Sequence, residues 1–358
     1  MPPTVSAQES PNQMPIGITM GDAAGIGPEI IVRMFAGGLP HPAVVIGDAD
    51  TLRQAAAQLT AARHLTVSEL TTAAEALNLP ASTIGVINPW ESLTDTIAPG
   101  QVSAHAGRAA YEYLCRAIDD ATAGHLRAIV TAPLHKEALQ QAGVPHPGHT
   151  EILAERSHSK QVAMLMVNEE LRVILGTIHI ALAKVPAALS IEQQLTMIHL
   201  AHQACQQAGI AQPRIAVAGL NPHAGEAGQF GTEEQDIIIP AIEQARTEGL
   251  DVSGPWPGDT VFMQARQGRF DIVLAQYHDQ GLIPIKYLGV DDGVNMTVGL
   301  PFVRTSVDHG TAFDIAGQGV ASEASLRKAF ELAVAMSAGS ASDDSEKAMR
   351  LARRSEGL

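Results

Sequence analysis

Short apolar runs recur along the chain, each followed by a segment long enough for a helix, and this alternation is the strongest constraint on the fold. Pro15-Ile-Gly-Ile-Thr-Met20 gives way to Gly21-Asp-Ala-Ala-Gly-Ile-Gly27, and a helix is expected to open at Pro28. Proline needs no backbone donor there, and Glu29 suits the positive end of the helix dipole. Ala43-Val-Val-Ile46 ends at Gly47-Asp48, again with a helical stretch behind it. Ala128–Thr131, Val162–Val167, Arg172–Leu175, Arg214–Ala218 and Asp271–Ala275 read as further buried strands, with Ile191–Ala208 and Glu233–Arg246 as helices between them. Repeated strand–helix alternation predicts an α/β fold with a largely parallel sheet.

At 358 residues the chain is long enough for about two domains. With 46% apolar and 17% charged residues its composition is globular. The balance of 23 basic against 38 acidic residues, −15 in all, argues against general electrostatic binding of nucleic acid. It leaves room only for a local basic pocket around a small anion. Two cysteines, Cys115 and Cys205, are too few for a disulfide framework or a cysteine zinc site, and both are expected as buried small hydrophobes. No apolar run reaches the about 18 residues of a membrane span; the best window, Val173–Leu189, is broken by His179, Lys184 and Pro186. Residues 1–15 carry no Lys, Arg or apolar core, so a loose arm rather than a signal peptide is expected there. A cytoplasmic location follows as an expectation. Ser337–Leu358 reads as a solvated helix or frayed end.

The chain has 14 histidines, and four strand-like runs lead into one: Ala128–Thr131 into His135, Arg172–Leu175 into His179, Arg214–Ala218 into His223 and Asp271–Ala275 into His278. In open α/β sheets the ligand crevice lies beyond the carboxyl ends of the strands, which brings such residues near one another. Three neutral imidazoles with an open position make a catalytic divalent-metal site, suited to zinc, cobalt or nickel. The competing reading is that each ring caps a strand or bonds a loop carbonyl. His64, His125, His199 and His202 fall in helical or loop stretches and read as surface or packing residues.

Beyond His278 lie Lys286, Asn295 and Arg304, cations and an amide beside Gly- and Pro-rich loops. They read either as a solvated surface group or as a clamp on phosphate or carboxylate. Gly148-His-Thr-Glu151 places His149 and Thr150 at a helix start, where free N–H groups favour anions. In Asp308-His-Gly-Thr-Ala-Phe-Asp-Ile-Ala-Gly-Gln-Gly319, Gly310 and Gly317 flank Asp314, as in a loop whose backbone passes close to a ligand. Neither a P-loop nor a G-x-G-x-x-G fingerprint is present. Asp259, in Pro257-Gly-Asp-Thr260, is a candidate for proton transfer or else a turn or N-cap aspartate.

From about Ile16 to Leu332 the chain resembles the 4-hydroxythreonine-4-phosphate dehydrogenase family. The resemblance rests on Gly21–Glu29, Val130-Thr-Ala-Pro-Leu-His-Lys136, Gly148–Glu151, Gly219-Leu-Asn-Pro-His-Ala-Gly-Glu226, Tyr277-His-Asp-Gln-Gly281 and Gly299–Gly310. It implies a two-domain fold like that of isocitrate and isopropylmalate dehydrogenases: residues 16–135 with 305–340 as one domain, and 136–304 as the other, with the metal site and dimer contacts. An arm of residues 1–15 and a tail of 341–358 would flank them. It implies NAD on the loop of Asp308, Gly310, Asp314 and Gly317, and a divalent metal (zinc, cobalt or magnesium) on His179, His223 and His278. It also implies substrate contacts at His149, Thr150, Lys286, Asn295 and Arg304. The third metal ligand and the Lys/Asn/Arg group would come from the neighbouring subunit of a homodimer.

The implied reaction is NAD-dependent oxidation, with decarboxylation, of a 4-phosphorylated β-hydroxy acid, first of all 4-phosphohydroxy-L-threonine. Two departures from the family pattern bear on the substrate: Ala23 stands where Pro is usual, and His179-Ile-Ala-Leu182 where His-Leu-Pro-Leu is usual. They keep D-threonate or D-erythronate 4-phosphate open, and after them cis-dihydrodiols of aromatic dicarboxylates. A metal-dependent hydrolase and a silent small-molecule binding protein are the readings from other classes.

Overall fold

The computed structural model describes residues 14–93, 97–289 and 293–338; the expected tail of 341–358 and all but the end of the expected arm lie outside them. The chain forms two compact units, residues 14–158 with 301–338, and residues 159–300.

The first unit begins with β1 (Ile16–Thr19), α1 (Gly27–Ala36), β2 (Ala43–Ile46), α2 (Ala49–Gln58), β3 (Thr66–Glu69) and β4 (Thr83–Ile87). It continues through α3 (Ala104–Thr122), β5 (Ala128–Thr131), α4 (Lys136–Gln141) and α5 (His149–Arg156). The helix starts follow from local chemistry. Pro28 lies in the first turn of α1; the Asp48 carboxylate accepts from Thr51 N–H at 2.7 Å at the head of α2, and Ser103 caps α3.

The second unit contains β6 (Ala163–Val167), β7 (Arg172–Leu175), α6 (Val185–Ala188), α7 (Ile191–Gln207), β8 (Ile215–Ala218) and α8 (Ile239–Thr247). After these come β9 (Val252–Trp256), α9 (Val261–Arg266), β10 (Ile272–Ala275), α10 (His278–Leu288) and β11 (Val294–Val298). The chain then returns to the first unit with β12 (Val303–Ser306) and α11 (Ala324–Ser337).

In the first unit the strands run in the order β3-β4-β2-β1-β5-β12, every pair parallel. Ile16 is opposite Ala43 on one side and Ala128 on the other. Strands β1, β2, β5 and β12 are buried at every residue, as a sheet covered on both faces requires. In the second unit the order is β11-β6-β7-β10-β8-β9. Here β7, β10, β8 and β9 are parallel, and β6 is antiparallel to both of its neighbours. Its core gathers Val173, Leu175, Ala216, Val273, Phe262 and Ile285. Gly281 lets α10 settle onto the sheet, since a Cβ there would lie 2.4 Å from Leu175 Cδ2.

The α/β class and largely parallel pairing agree with expectation, but the domain boundary moves. The first unit extends past His135 to His158 because α4 and α5 both pack on α3. A Cβ at Gly107 of α3 would lie 2.3 Å from the Ala138 backbone of α4, and Arg156 of α5 binds Asp119 of α3 through two hydrogen bonds of 2.8 and 2.6 Å. The return to the first unit falls at Pro301 rather than at 305, so β12 and Arg304 belong to it. The helix expected from Glu233 opens as a π-turn, Glu234–Ile238, before α8. Cys115 and Cys205 are buried free thiols, and burial pushes Cys205 up to about 12. Among the described residues no helix is long and apolar enough to cross a membrane.

Candidate active site

Strands β7, β10 and β8 are neighbours in the second unit and run in one direction, so their carboxyl ends share one edge. His179, His278 and His223 follow those ends, whereas His135 follows β5 in the other unit and caps α4. His179 and His223 sit in the left-handed backbone region at φ 49° and 53°, and Ala224 to Ala227 continue left-handed after His223. Such backbone costs of order 1–3 kcal/mol at each non-glycine residue and clusters at functional sites. The rings of His179 and His278 are 5.7 Å apart between centroids. His278 Nδ1 pairs with the Asp279 carboxylate at 2.7 Å, which leaves its Nε2 lone pair for a ligand. Both rings line a cleft together with Thr177, Ile180, Leu182 and Tyr277.

The donor chemistry, two converging imidazoles with one steadied by a carboxylate, fits a divalent metal. The pairing within one chain, however, is His179 with His278. The aromatic neighbour of His223 is Phe230, at 6.1 Å, and among the described residues no three His, Cys, Asp or Glu come together as a metal group. Within one chain, then, His278 meets His179 while His223 lies against Phe230.

In the first unit, Arg304 on β12 is only 3% exposed and donates from Nη2 to Thr131 Oγ1 at 2.6 Å. Burial pushes its guanidinium down to about 9. His149 opens α5 behind Gly148, an N-cap with no side chain to occupy the helix's first N–H groups. Burial, and then the Arg304 charge, hold the His149 imidazole well below its ordinary value, so it is neutral at pH 7. A neutral ring, a buried cation and open helix N–H donors favour an anion, and Thr150 adds a half-buried hydroxyl. Arg304 thus lies with His149 in the first unit; Lys286 and Asn295 are the other two residues expected to meet the anion. Those two lie in the second unit, on α10 and on β11 opposite Met166.

The Asp308–Gly319 segment is fastened to α1. Ile26 N–H donates to the Thr311 carbonyl at 3.0 Å, and the buried Glu29 carboxylate accepts from Ala321 N–H at 2.8 Å and Gly319 N–H at 3.2 Å. Phe313 stacks on His135 at 4.5 Å. A cleft is lined by Gly25, Glu29, Thr51, Gln58, Pro99 and Gly317. Of the expected cofactor residues, Gly317 (φ 74°) lines this cleft. Asp308 is half-buried, and Gly310 and Asp314 are exposed. Asp259 is an exposed turn residue; the N-cap of α9 is Thr260, so the capping reading of Asp259 falls away.

Sequence reasoning passes over two carboxyls here. Glu29 reads in the sequence only as a dipole partner, although an acid buried in a first turn invites a search for N–H donors outside its helix. Asp22 is fully buried, with Oδ1 accepting from Ala24 N–H at 2.9 Å. Burial pushes its carboxyl up to about 6, against the pull of that bond and of His135.

The sequence matches the family described as pyridoxal phosphate biosynthetic protein PdxA over residues 39–333. It is 53% identical over 327 residues to a 4-hydroxythreonine-4-phosphate dehydrogenase of Beijerinckia indica, covering 89% of this chain and 94% of that one. It is 48% identical over 321 residues to a D-threonate 4-phosphate dehydrogenase of Salmonella typhimurium, covering 89% and 98%. The fold superposes on the crystal structure of a 4-hydroxythreonine-4-phosphate dehydrogenase from Klebsiella pneumoniae with a TM-score of 0.84 at 44% identity, covering 90% and 99%. With the family matched across most of its length and dehydrogenases as its near relatives, the chain belongs to the PdxA family.

Proposed function

We propose that this dehydrogenase oxidises the β-hydroxyl of a 4-phosphorylated hydroxy acid with NAD, 4-phosphohydroxy-L-threonine first and D-threonate or D-erythronate 4-phosphate second. The observation that carries a phosphorylated substrate is the buried Arg304 beside a neutral His149 at the open start of α5. A cation held in that state gains most from a doubly charged ligand. Names among the relatives divide between the amino substrate and D-threonate 4-phosphate. Ala23 and the Ile180-Ala181 pair keep the second substrate in play.

In this reading Arg304, His149, Thr150, Lys286 and Asn295 hold the phosphate and carboxylate oxygens. The Gly317 cleft takes the nicotinamide dinucleotide, with Glu29 fixing the loop that carries it. His179, His278 and His223 would hold a divalent metal, which when bound supplies a Lewis acid for the hydroxyl under oxidation. The carbinol C–H leaves as hydride to NAD, the O–H proton goes to a base for which Asp259 is the candidate, and the β-keto acid formed loses carbon dioxide. A homodimer is part of the same reading: α10 presents Ile283 and Tyr287, 64% and 90% exposed and four residues apart, beside His278. So is a cytoplasmic location.

The test is NADH formation by metal-reconstituted protein on the three phosphorylated acids, each beside its unphosphorylated parent, with a cis-dihydrodiol dicarboxylate as a fourth class. Turnover confined to phosphorylated acids is expected. Equal rates on the parents, or turnover of the dihydrodiol alone, would overturn the phosphate assignment.

A further inference from the structure

The ends of β7, β8 and β10 are joined by a network of neutral amides. Gln194, from the first turn of α7, and Gln276, just past β10, are both fully buried. They form a reciprocal pair: Gln194 Nε2 donates to Gln276 Oε1 at 2.8 Å, and Gln276 Nε2 to Gln194 Oε1 at 3.2 Å. Gln276 Nε2 also donates to the Ala218 carbonyl at the end of β8, at 2.8 Å. Gln193 Nε2 donates to the Gly176 carbonyl just past β7, at 2.6 Å. Gln280 of α10 closes the set, accepting from Gln276 N–H at 2.6 Å and donating to the Gly219 carbonyl at 2.8 Å. Gly176, Gly219 and Gln276 lie only two to four residues before His179, His223 and His278.

We infer that this glutamine brace is a positioning device: it fixes the three strand ends against one another, and through them the histidines. The inference rests on the metal-dependent reading above. A fully satisfied buried amide network rigidifies and specifies one arrangement. Amides do not titrate, so the brace holds at any pH at which the fold holds. The loop to His223 has a further anchor in the buried Glu234, whose Oε1 accepts from both Leu220 and Asn221 N–H at 2.7 Å.

The experiment is Co²⁺ titration of apoprotein, followed by the visible ligand-field absorption and by calorimetry, alongside the thermal midpoint. Wild type is compared with Gln194→Leu, with the double variant Gln194→Leu/Gln276→Leu, and with the milder Gln193→Met should the others fold poorly. His179→Ala and His278→Ala serve as site controls. A single leucine strands the partner amide and should lower the midpoint, and replacing both partners should recover part of it. Co²⁺ binding is expected to weaken by about 10–100-fold, with an altered spectrum, in the single and the double variant alike, as on loss of outer-shell support. Wild-type affinity and spectrum in the glutamine variants, or affinity recovering with the midpoint in the double variant, would overturn the brace alone. Wild-type Co²⁺ binding that survives both histidine substitutions would overturn the metal reading and the brace with it.

Discussion

Replacing Asp22 by asparagine should change the pH dependence of stability in a direction opposite to that of most carboxylates. Asp22 is fully buried, and burial raises its carboxyl from 3.8 to about 6 in the fold. The native state therefore holds a proton that the unfolded chain releases near pH 4. Stability from this group is complete below pH 3.8 and is lost as pH rises through about 6. At about 1.4 kcal/mol per pH unit the interval is worth about 3 kcal/mol. Asparagine keeps an oxygen for the Ala24 N–H and carries no charge, so its own cost is the same at every pH. Urea unfolding followed by circular dichroism at steps from pH 4 to pH 7.5 measures the effect. The Asp22→Asn variant should gain on wild type by most of those about 3 kcal/mol across the range. Parallel curves would show that burial does not hold the proton, and a gap closing with rising pH would show a carboxyl lowered rather than raised.

Three further outcomes follow from the same contacts. Glu29→Ala strands the Gly319 and Ala321 N–H groups at about 1–3 kcal/mol each; it should lower the thermal midpoint and raise KM for NAD more than KM for substrate. Arg304→Met removes a charge-assisted contact worth about 1.5–3 kcal/mol, so kcat/KM on a phosphorylated acid should fall about 10–100-fold while the unphosphorylated parent loses far less. Gly281→Ala forces a methyl against Leu175, Val173 and Ala275; calorimetry should show about 1–3 kcal/mol of overpacking, and Co²⁺ affinity should fall with it because His278 rides on the same helix.

The central strands were legible because they are short, mostly apolar and each followed by a helix: β1, β2, β5, β7, β8 and β10 fall within a residue of their expected bounds. The edges were not. Strand β3 reads Thr-Val-Ser-Glu with exposed ends, β9 contains Gly254 and Pro255, and β11 is interrupted by Asn295 and Thr297, so none presents an apolar run. Periodicity cannot see a strand whose stability comes from its neighbours. In the site, strand order placed three histidine-bearing ends side by side, as the sequence pattern implied. The approach of His179 to His278 agrees with that pattern; what the sequence does not announce is the left-handed backbone at His179 and His223, residues other than glycine. Arg304 was misplaced for a related reason: the segment after Leu300 crosses back to the first unit with no proline-rich linker or charge run to mark the return.

The most direct test of the account is NADH formation at 340 nm by protein stripped of metal and then given Co²⁺ or Zn²⁺, with 4-phosphohydroxy-L-threonine or D-threonate 4-phosphate and NAD. One NADH per substrate consumed is predicted, abolished by chelator, restored by metal and lost in His179→Ala. Consumption of substrate without NADH, or NADH formation indifferent to chelator and to His179, would contradict it.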